Sequence, residues 1–153
     1  MCVPDAAIEA LLTTCYVAPG YTDSDVAESL FVAESVRRRG ELLVVVEPPT
    51  SELLGMAIVV EASSPARQLV LAGTAELQML AVSPRARCRG IGRALIEAAM
   101  KAARDEGYAR MVLSTQPPMH AAQRLYEALG FVRTPARDWQ RGGKRFLTYE
   151  IVL

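Results

Sequence analysis

Residues 76–100, ELQMLAVSPRARCRGIGRALIEAAM, constrain this chain more than any other stretch. They read as a strand, a basic Gly-containing turn and a helix. Leu77, Met79 and Ala81 alternate with Glu76, Gln78, Leu80 and Val82, which is strand spacing. On that alternation Glu76, Gln78 and Leu80 share one face. Ser83-Pro84 stops the strand, because proline has no N–H to give a ladder. Arg85, Arg87, Arg89 and Arg93 bring four guanidiniums to one turn. Gly90 and Gly92 let the backbone come close to a ligand with no Cβ in the way. Ile91, Leu95, Ala99 and Ala103, with Ile96 and Met100, then recur at the spacing of a helix packed on a sheet. A helix N-terminus fronted by bare backbone and positive side chains is an anion site, best suited to phosphate.

Three readings compete for the turn. A dinucleotide fingerprint lacks its third Gly, since Gly90-Ile91-Gly92 runs on into Arg93-Ala94. A Walker A loop lacks its Gly-Lys-Ser/Thr. Arg87-x-x-Gly90-x-Gly92 between a strand and a helix fits better. It resembles the R/Q-x-x-G-x-G/A pyrophosphate loop of the GCN5-related N-acetyltransferase (GNAT) family, which binds acetyl-CoA. On this loop alone, a plain Gly turn with solvated arginines stays open. Further on, Ala122, Leu125, Tyr126, Leu129, Gly130 and Phe131 resemble the same family's A-x-x-L-Y-x-x-L-G-F. The two motifs come in the family's order, separated by a helix to about Glu106 and a strand at 110–115. On both together the chain is identified as a member of that family. The resemblance covers 41–153 well and the N-terminus poorly.

The resemblance implies a mixed α/β (α+β) fold as one domain over 1–153. The sheet is expected to be central and mostly antiparallel, with a splayed parallel strand pair, and flanked by about four helices. Acetyl-CoA is the implied co-substrate. Its pyrophosphate falls to Arg87, Cys88, Arg89, Gly90, Ile91, Gly92 and Arg93. Its pantetheine arm pairs, as a strand would, with exposed backbone of Leu80, Ala81 and Val82 where the parallel strands part. An amine then attacks the thioester directly, with no covalent enzyme intermediate. Tyr126 protonates the departing sulfur, and backbone N–H groups near Leu80 polarise the carbonyl. By periodicity alone Tyr126 sits on the buried face of a helix at 120–129, with Ala122, Leu125 and Leu129. As a plain core tyrosine it would still want a hydroxyl partner.

The amine must be neutral to attack. A lysine-like amine of pKa ~10.4 costs about 4–5 kcal/mol to deprotonate at neutral pH, an α-amine near ~8 only about 1 kcal/mol. A base matters for the first. Glu76, acting directly or through water, is the candidate. A solvent-facing carboxylate at a strand start is the competing reading. His120 is either a base or an exposed, capping residue at a helix start. Met119 stands where the family often carries Asn, seven residues before the Tyr, so a polar contact to the cofactor arm is expected to be missing. That feature leans toward the alternative function, a non-catalytic acyl-CoA-binding or regulatory module.

Lys plus Arg and Asp plus Glu each number 17, a formal net charge of zero. A nucleic-acid partner is therefore not indicated, and the arginines make a local field suited to a small anion. The acceptor is expected to be a small-molecule or peptide amine. Dimers are common in the family, which leaves a homodimer open. With 153 residues, 51% hydrophobic, the chain can bury a single core. Cys2, Cys15 and Cys88 are odd in number and lack Cys-x-x-Cys spacing, as in a reduced, cytoplasmic protein. One His and scattered thiols make no metal site. The start carries no positive n-region, and no apolar run is long enough to span a bilayer, so neither a signal peptide nor membrane insertion is expected.

Helices are expected at 4–16 and at 26–38, the second stopped by Gly40. Strands are expected at 42–46 (buried), 53–60, 131–133 and 146–152, with an extension at 68–71 and a Gly142-Gly143 turn. Tyr16 and Tyr21 flank the loop between the first two helices, which in the family often lines the acceptor pocket. Surface packing is the other reading for both. Trp139 is an acceptor wall or, preferably, core or interface. The family's first strand has only residues 1–3 available, so it is short or absent.

Overall fold

The computed structural model describes residues 2–69 and 72–153. Seven strands form the sheet: β1 Glu41–Glu47, β2 Glu52–Val60, β3 Thr74–Val82, β4 Arg110–Thr115, β5 Val132–Arg133, β6 Trp139–Arg141 and β7 Lys144–Val152. Their order is β1-β2-β3-β4-β7-β5, with β6 paired to β7. Among the described residues only β3 and β4 are parallel; every other pairing is antiparallel. The helix α4, Ile91–Asp105, makes the crossover between them. It earns its place on the sheet by burying Ile91, Leu95, Ile96, Ala99, Met100 and Ala103. Each buried Leu or Ile contributes about 1.5–3 kcal/mol.

The core has two parts, one on each face of the sheet. On one face α4 and α5 (His120–Ala128) cover Leu54, Ala57, Leu77 and Leu113. On the other, α1 (Asp5–Leu12), α2 (Ser24–Leu30) and α3 (Ala33–Arg38) cover Met56, Ile58, Val60 and Ala81. Among the described residues five α-helices therefore flank the sheet, where about four were expected. The single helix expected at 26–38 is broken at Phe31 and Val32. Phe31 turns into the core, 5% exposed, against the Tyr16 ring. The backbone N–H of Ala33 is then capped by the Glu9 carboxylate of α1 at 2.9 Å. Tertiary burial and a borrowed cap override local helical periodicity here.

Two further expectations change, at 42–46 and at 68–69, whereas the Gly142-Gly143 turn is present. The strand at 42–46 is not buried: β1 is an edge strand, with Val44 38% exposed. Gly142 and Gly143, at φ 60° and 75°, join β6 to β7 as a two-residue hairpin, the geometry that needs positive φ. Among the described residues no strand precedes α1; Val3 is buried, and its carbonyl accepts from Arg37 at 2.6 Å. Of the extension expected at 68–71, Gln68 and Leu69 lie in a bend, and Val70 and Leu71 fall outside the described residues.

Candidate active site

β3 and β4 are paired only from Thr74–Arg110 to Leu77–Leu113. Beyond Leu77 the two strands part. The cause is a bulge in β3. Its partner β2 advances two residues, from Met56 to Ile58, while β3 advances three, from Ala81 back to Gln78. Met79 takes up the extra residue at φ 53°, unusual for a side chain with a Cβ. The bulge also exchanges faces. Leu77, Leu80 and Val82 pack toward α4, whereas Met79 and Ala81 pack toward α1. The alternation expected for 76–82 therefore fails at Met79, and Leu80 lies on the opposite face from Glu76 and Gln78.

A cavity of about 310 Å3 fills the gap between the strands. It runs through the sheet, since Tyr16 lines it from the α1 side and Tyr126 from the α5 side. Tyr21, on the loop after α1, also lines it. Two backbone carbonyls of β3 beyond Leu77 are met by side chains from the α1 side. Tyr16 donates its hydroxyl to the Leu80 carbonyl at 2.6 Å. Cys15 donates its thiol to the Val82 carbonyl at 3.3 Å. Both donors sit on a π-helical turn, Thr13–Val17, that continues α1 and widens it toward β3. Burial pushes the Cys15 thiol up, opposed by the Arg87 guanidinium beside it.

Tyr126 is 5% exposed, packed between the rings of Phe131 and Tyr149. Its hydroxyl makes no hydrogen bond among the described residues and is not sealed in, because the side chain lines the cavity. Burial, and then the neighbouring Tyr149, push its pKa well above the usual phenol range. Tyr126 thus keeps its proton across the neutral range and has no protein acceptor for it.

Glu76 is 3% exposed and does not line the cavity. Its Oε1 accepts the backbone N–H groups of Gln68 and Leu69 at 2.8 and 2.9 Å, and its Oε2 accepts Gln78 Nε2 at 2.7 Å. Burial raises its pKa, and these donors oppose the rise. Gln78 stands between Glu76 and the cavity. It also donates to the Ala66 carbonyl at 3.0 Å and accepts from Arg39 at 2.9 Å. Direct proton abstraction by Glu76 does not fit this arrangement, because three donors hold the carboxylate and Gln78 stands between it and the cavity. It is equally not the solvent-facing carboxylate of the competing reading.

After β3, Pro84–Ala86 form a 3-10 turn, and Gly90 enters α4 in the left-handed region at φ 77°. No side chain caps α4, so the N–H groups of its first turn are free to meet an anion. Gly92 also has a packing reason. A Cβ there would come 3.1 Å from Leu125, so the glycine lets α4 and α5 pack closely. Arg89 and Arg93 are held by Glu47 and Glu97, each at 3.0 Å, and Arg85 is paired with Glu52. Arg87 has no ion-pair partner among the described residues. Cys88 is exposed. The bare first turn, Arg87 and the strand gap leading away from them fit a diphosphate with a linear arm. His120 is exposed and lies outside the cavity.

Sequence reasoning passed over several lining residues: Gln116, Arg141, Lys144 and Phe146. They sit on loops and on the β6–β7 hairpin, where no periodicity marks them. Trp139, expected as core or interface, stacks on Phe146 at 4.1 Å, donates to Ser114 Oγ at 2.9 Å and walls a second cavity.

A family model described as the Acetyltransferase (GNAT) family matches residues 6–131. N-acetyltransferase 8B of Rattus norvegicus is 38% identical over 81 residues, covering 49% of this chain and 36% of that protein. This chain spans about a third of the length of the curated relatives it matches. Among solved structures, an acetyltransferase from Streptococcus agalactiae 2603 aligns with a TM-score of 0.75 at 21% identity, over 97% of this chain and 90% of that one. The ribosomal-protein-S18-alanine N-acetyltransferase from Escherichia coli aligns with a TM-score of 0.67 at 19% identity, over 96% and 86%. At these identities the two structures speak for the fold.

Proposed function

The chain belongs to the GNAT acetyltransferase family, and from that premise we propose that it transfers an acetyl group from acetyl-CoA to a primary amine by direct attack. The observation that carries this reading is Tyr126, a buried phenol with a raised pKa and an unpartnered hydroxyl at the gap between β3 and β4. Acetyl-CoA supplies an activated thioester. The N–H groups opening α4, with Arg87, hold its diphosphate, and Arg89 and Arg93 add positive field nearby. The parted backbone at Leu80, Ala81 and Val82 aligns the arm and turns N–H groups toward the carbonyl. Tyr126 gives its proton to the sulfur as the amide forms. Glu76 is a positioning residue: it fixes Gln78 and the 68–69 segment at the acceptor end. With Glu76 set back behind Gln78, and with Asp23, the carboxylate lining the cavity, facing Lys144 at 3.7 Å, the acceptors favoured are amines that lose a proton readily, α-amines before lysine-like ones.

The test is acetyl-CoA turnover against a panel of amines, read as release of free CoA thiol. Thiol release that depends on an amine supports the transferase. Tight acetyl-CoA binding with no release for any amine would leave a non-catalytic acyl-CoA-binding module instead.

A further inference from the structure

Beside the gap, and sharing Gln68 and Arg141 with it, lies a second cavity of about 450 Å3. Three arginines from three separate elements line it: Arg39 after α3, Arg67 on the loop before β3, and Arg141 at the hairpin. None of the three is in an ion pair with a described residue. Arg39 Nε is buried and has no hydrogen-bond partner among the described residues. Burial, and next the charge of Arg141 nearby, lower the Arg39 pKa, with the Glu76 carboxylate opposing them. The Glu76 carboxylate touches Arg39 only through the Gln78 amide and is itself held by three other donors, so it offsets the arginines only in part. Arg141 is held over the Trp139 ring, 5.2 Å from its centroid, which fixes its place at the cavity wall.

Like charges gathered with only a partial counter-charge are costly unless an anion completes them. The anion is not the diphosphate. Gln78, which contacts Arg39, precedes the end of β3 by four residues, about 13 Å, and the phosphate-binding turn lies beyond that end. We propose that the second cavity is a carboxylate subsite and that the acceptor is an amine that also carries a carboxylate. Arg141 and Arg67 bind the carboxylate from the cavity wall, and the Arg39 guanidinium meets it from below. The amine is thereby aimed past Gln78 into the gap beside Tyr126. This rests on the transferase reading above and names its substrate class.

Four acids differing in the distance between amine and carboxylate serve as probes: glycine, β-alanine, 4-aminobutyrate and 5-aminopentanoate. Each is compared with its primary carboxamide in the thiol-release assay. At least one acid is expected to exceed its carboxamide in kcat/KM by about tenfold or more. Arg141→Gln and Arg67→Gln, both away from the packed core, are expected to erase that preference through KM while the KM for acetyl-CoA holds. Arg141→Lys should restore part of it. Turnover of acids and carboxamides alike, or a preference untouched in both Gln variants, would overturn the carboxylate subsite and leave the transferase standing. If no amine is turned over, calorimetric titration of the same acids into the CoA-bound protein decides the matter. Binding of an acid that Arg141→Gln abolishes upholds the subsite without the reaction, and absence of binding by all four rejects it.

Discussion

Tyr16 donates its hydroxyl proton to the Leu80 carbonyl at 2.6 Å, whereas the Tyr126 hydroxyl across the gap makes no hydrogen bond among the described residues and keeps a proton to give. The two residues come from opposite faces of the sheet, and their roles separate by hydrogen-bond partner rather than by position. Tyr126→Phe is expected to lower kcat by about 100-fold, the scale of a lost general acid, with acetyl-CoA affinity unchanged. Tyr16→Phe is expected to cost about 1 kcal/mol of unfolding free energy, because the Leu80 carbonyl loses its donor, and to lower kcat far less. Steady-state thiol release and denaturant titration of the two variants check both halves. An equal loss of kcat in both would remove the distinction.

The arginines of the turn are not equivalent. Arg89 and Arg93 already face Glu47 and Glu97, whereas Arg87 stands next to Cys15 at the mouth of the gap without a carboxylate partner. Arg87→Ala is therefore expected to weaken acetyl-CoA binding by about tenfold or more. Arg89→Ala is expected to weaken it less, since its guanidinium must leave Glu47 to help. Calorimetric titration with acetyl-CoA ranks them, and the effect of Arg87→Ala should shrink as salt is raised.

The Glu76 carboxylate gathers three donors from Gln68, Leu69 and Gln78. In Glu76→Gln one of the two oxygens becomes an NH2 group, and a donor then faces a donor. The acceptor end should loosen: the KM for the amine is expected to rise about tenfold, the order set by one misplaced polar contact. The pH dependence of kcat/KM should keep its shape, because no proton is taken by this residue. Loss of the acidic limb of that profile would instead make Glu76 a base acting through water.

What could be read from the residues, and what could not, divides on a physical line. The helix face that buries Tyr126 and the crossover through α4 rest on repeated apolar spacing, and both are present. The bulge at Met79 was not legible, because nothing in a methionine signals a positive φ; three strands decide it together. The same holds for the break before Ala33, which depends on a cap lent by Glu9 from another helix. Gly40 looked like a helix stop. Its tighter constraint is that a Cβ would fall 2.1 Å from the Val59 carbonyl oxygen, a contact between elements that spacing along one helix cannot disclose. The arginines of the second cavity, 28 residues apart and then 74, show no pattern along the chain at all (39 to 67, then 67 to 141).

The hairpin that walls the second cavity is itself pinned by one carboxylate, and this makes its stability depend on pH. Asp138 accepts both Arg133 guanidinium nitrogens, at 2.8 and 2.9 Å, the Thr148 backbone N–H at 2.9 Å, and Arg145 at 3.2 Å. Chiefly through Arg133, and next the Thr148 N–H and Arg145, its pKa is held down at about 2 against an ordinary 3.8. The side chain is only 13% exposed, so solvent screens these contacts little. A carboxylate whose folded pKa is depressed stabilises the fold above its unfolded pKa, and the gain is lost as pH falls through the folded value. Here that gain is about 2 kcal/mol at neutral pH, present in full above about pH 4.5 and gone below about pH 2. Asp138→Asn should therefore be less stable than the parent by about that amount at pH 7. The gap between the two should close as the pH is lowered from 4.5 toward 2, because protonation then takes from the parent what the substitution has already removed. Denaturant titrations of both proteins across that range measure it, and a difference that stayed constant with pH would assign the loss to packing rather than to charge.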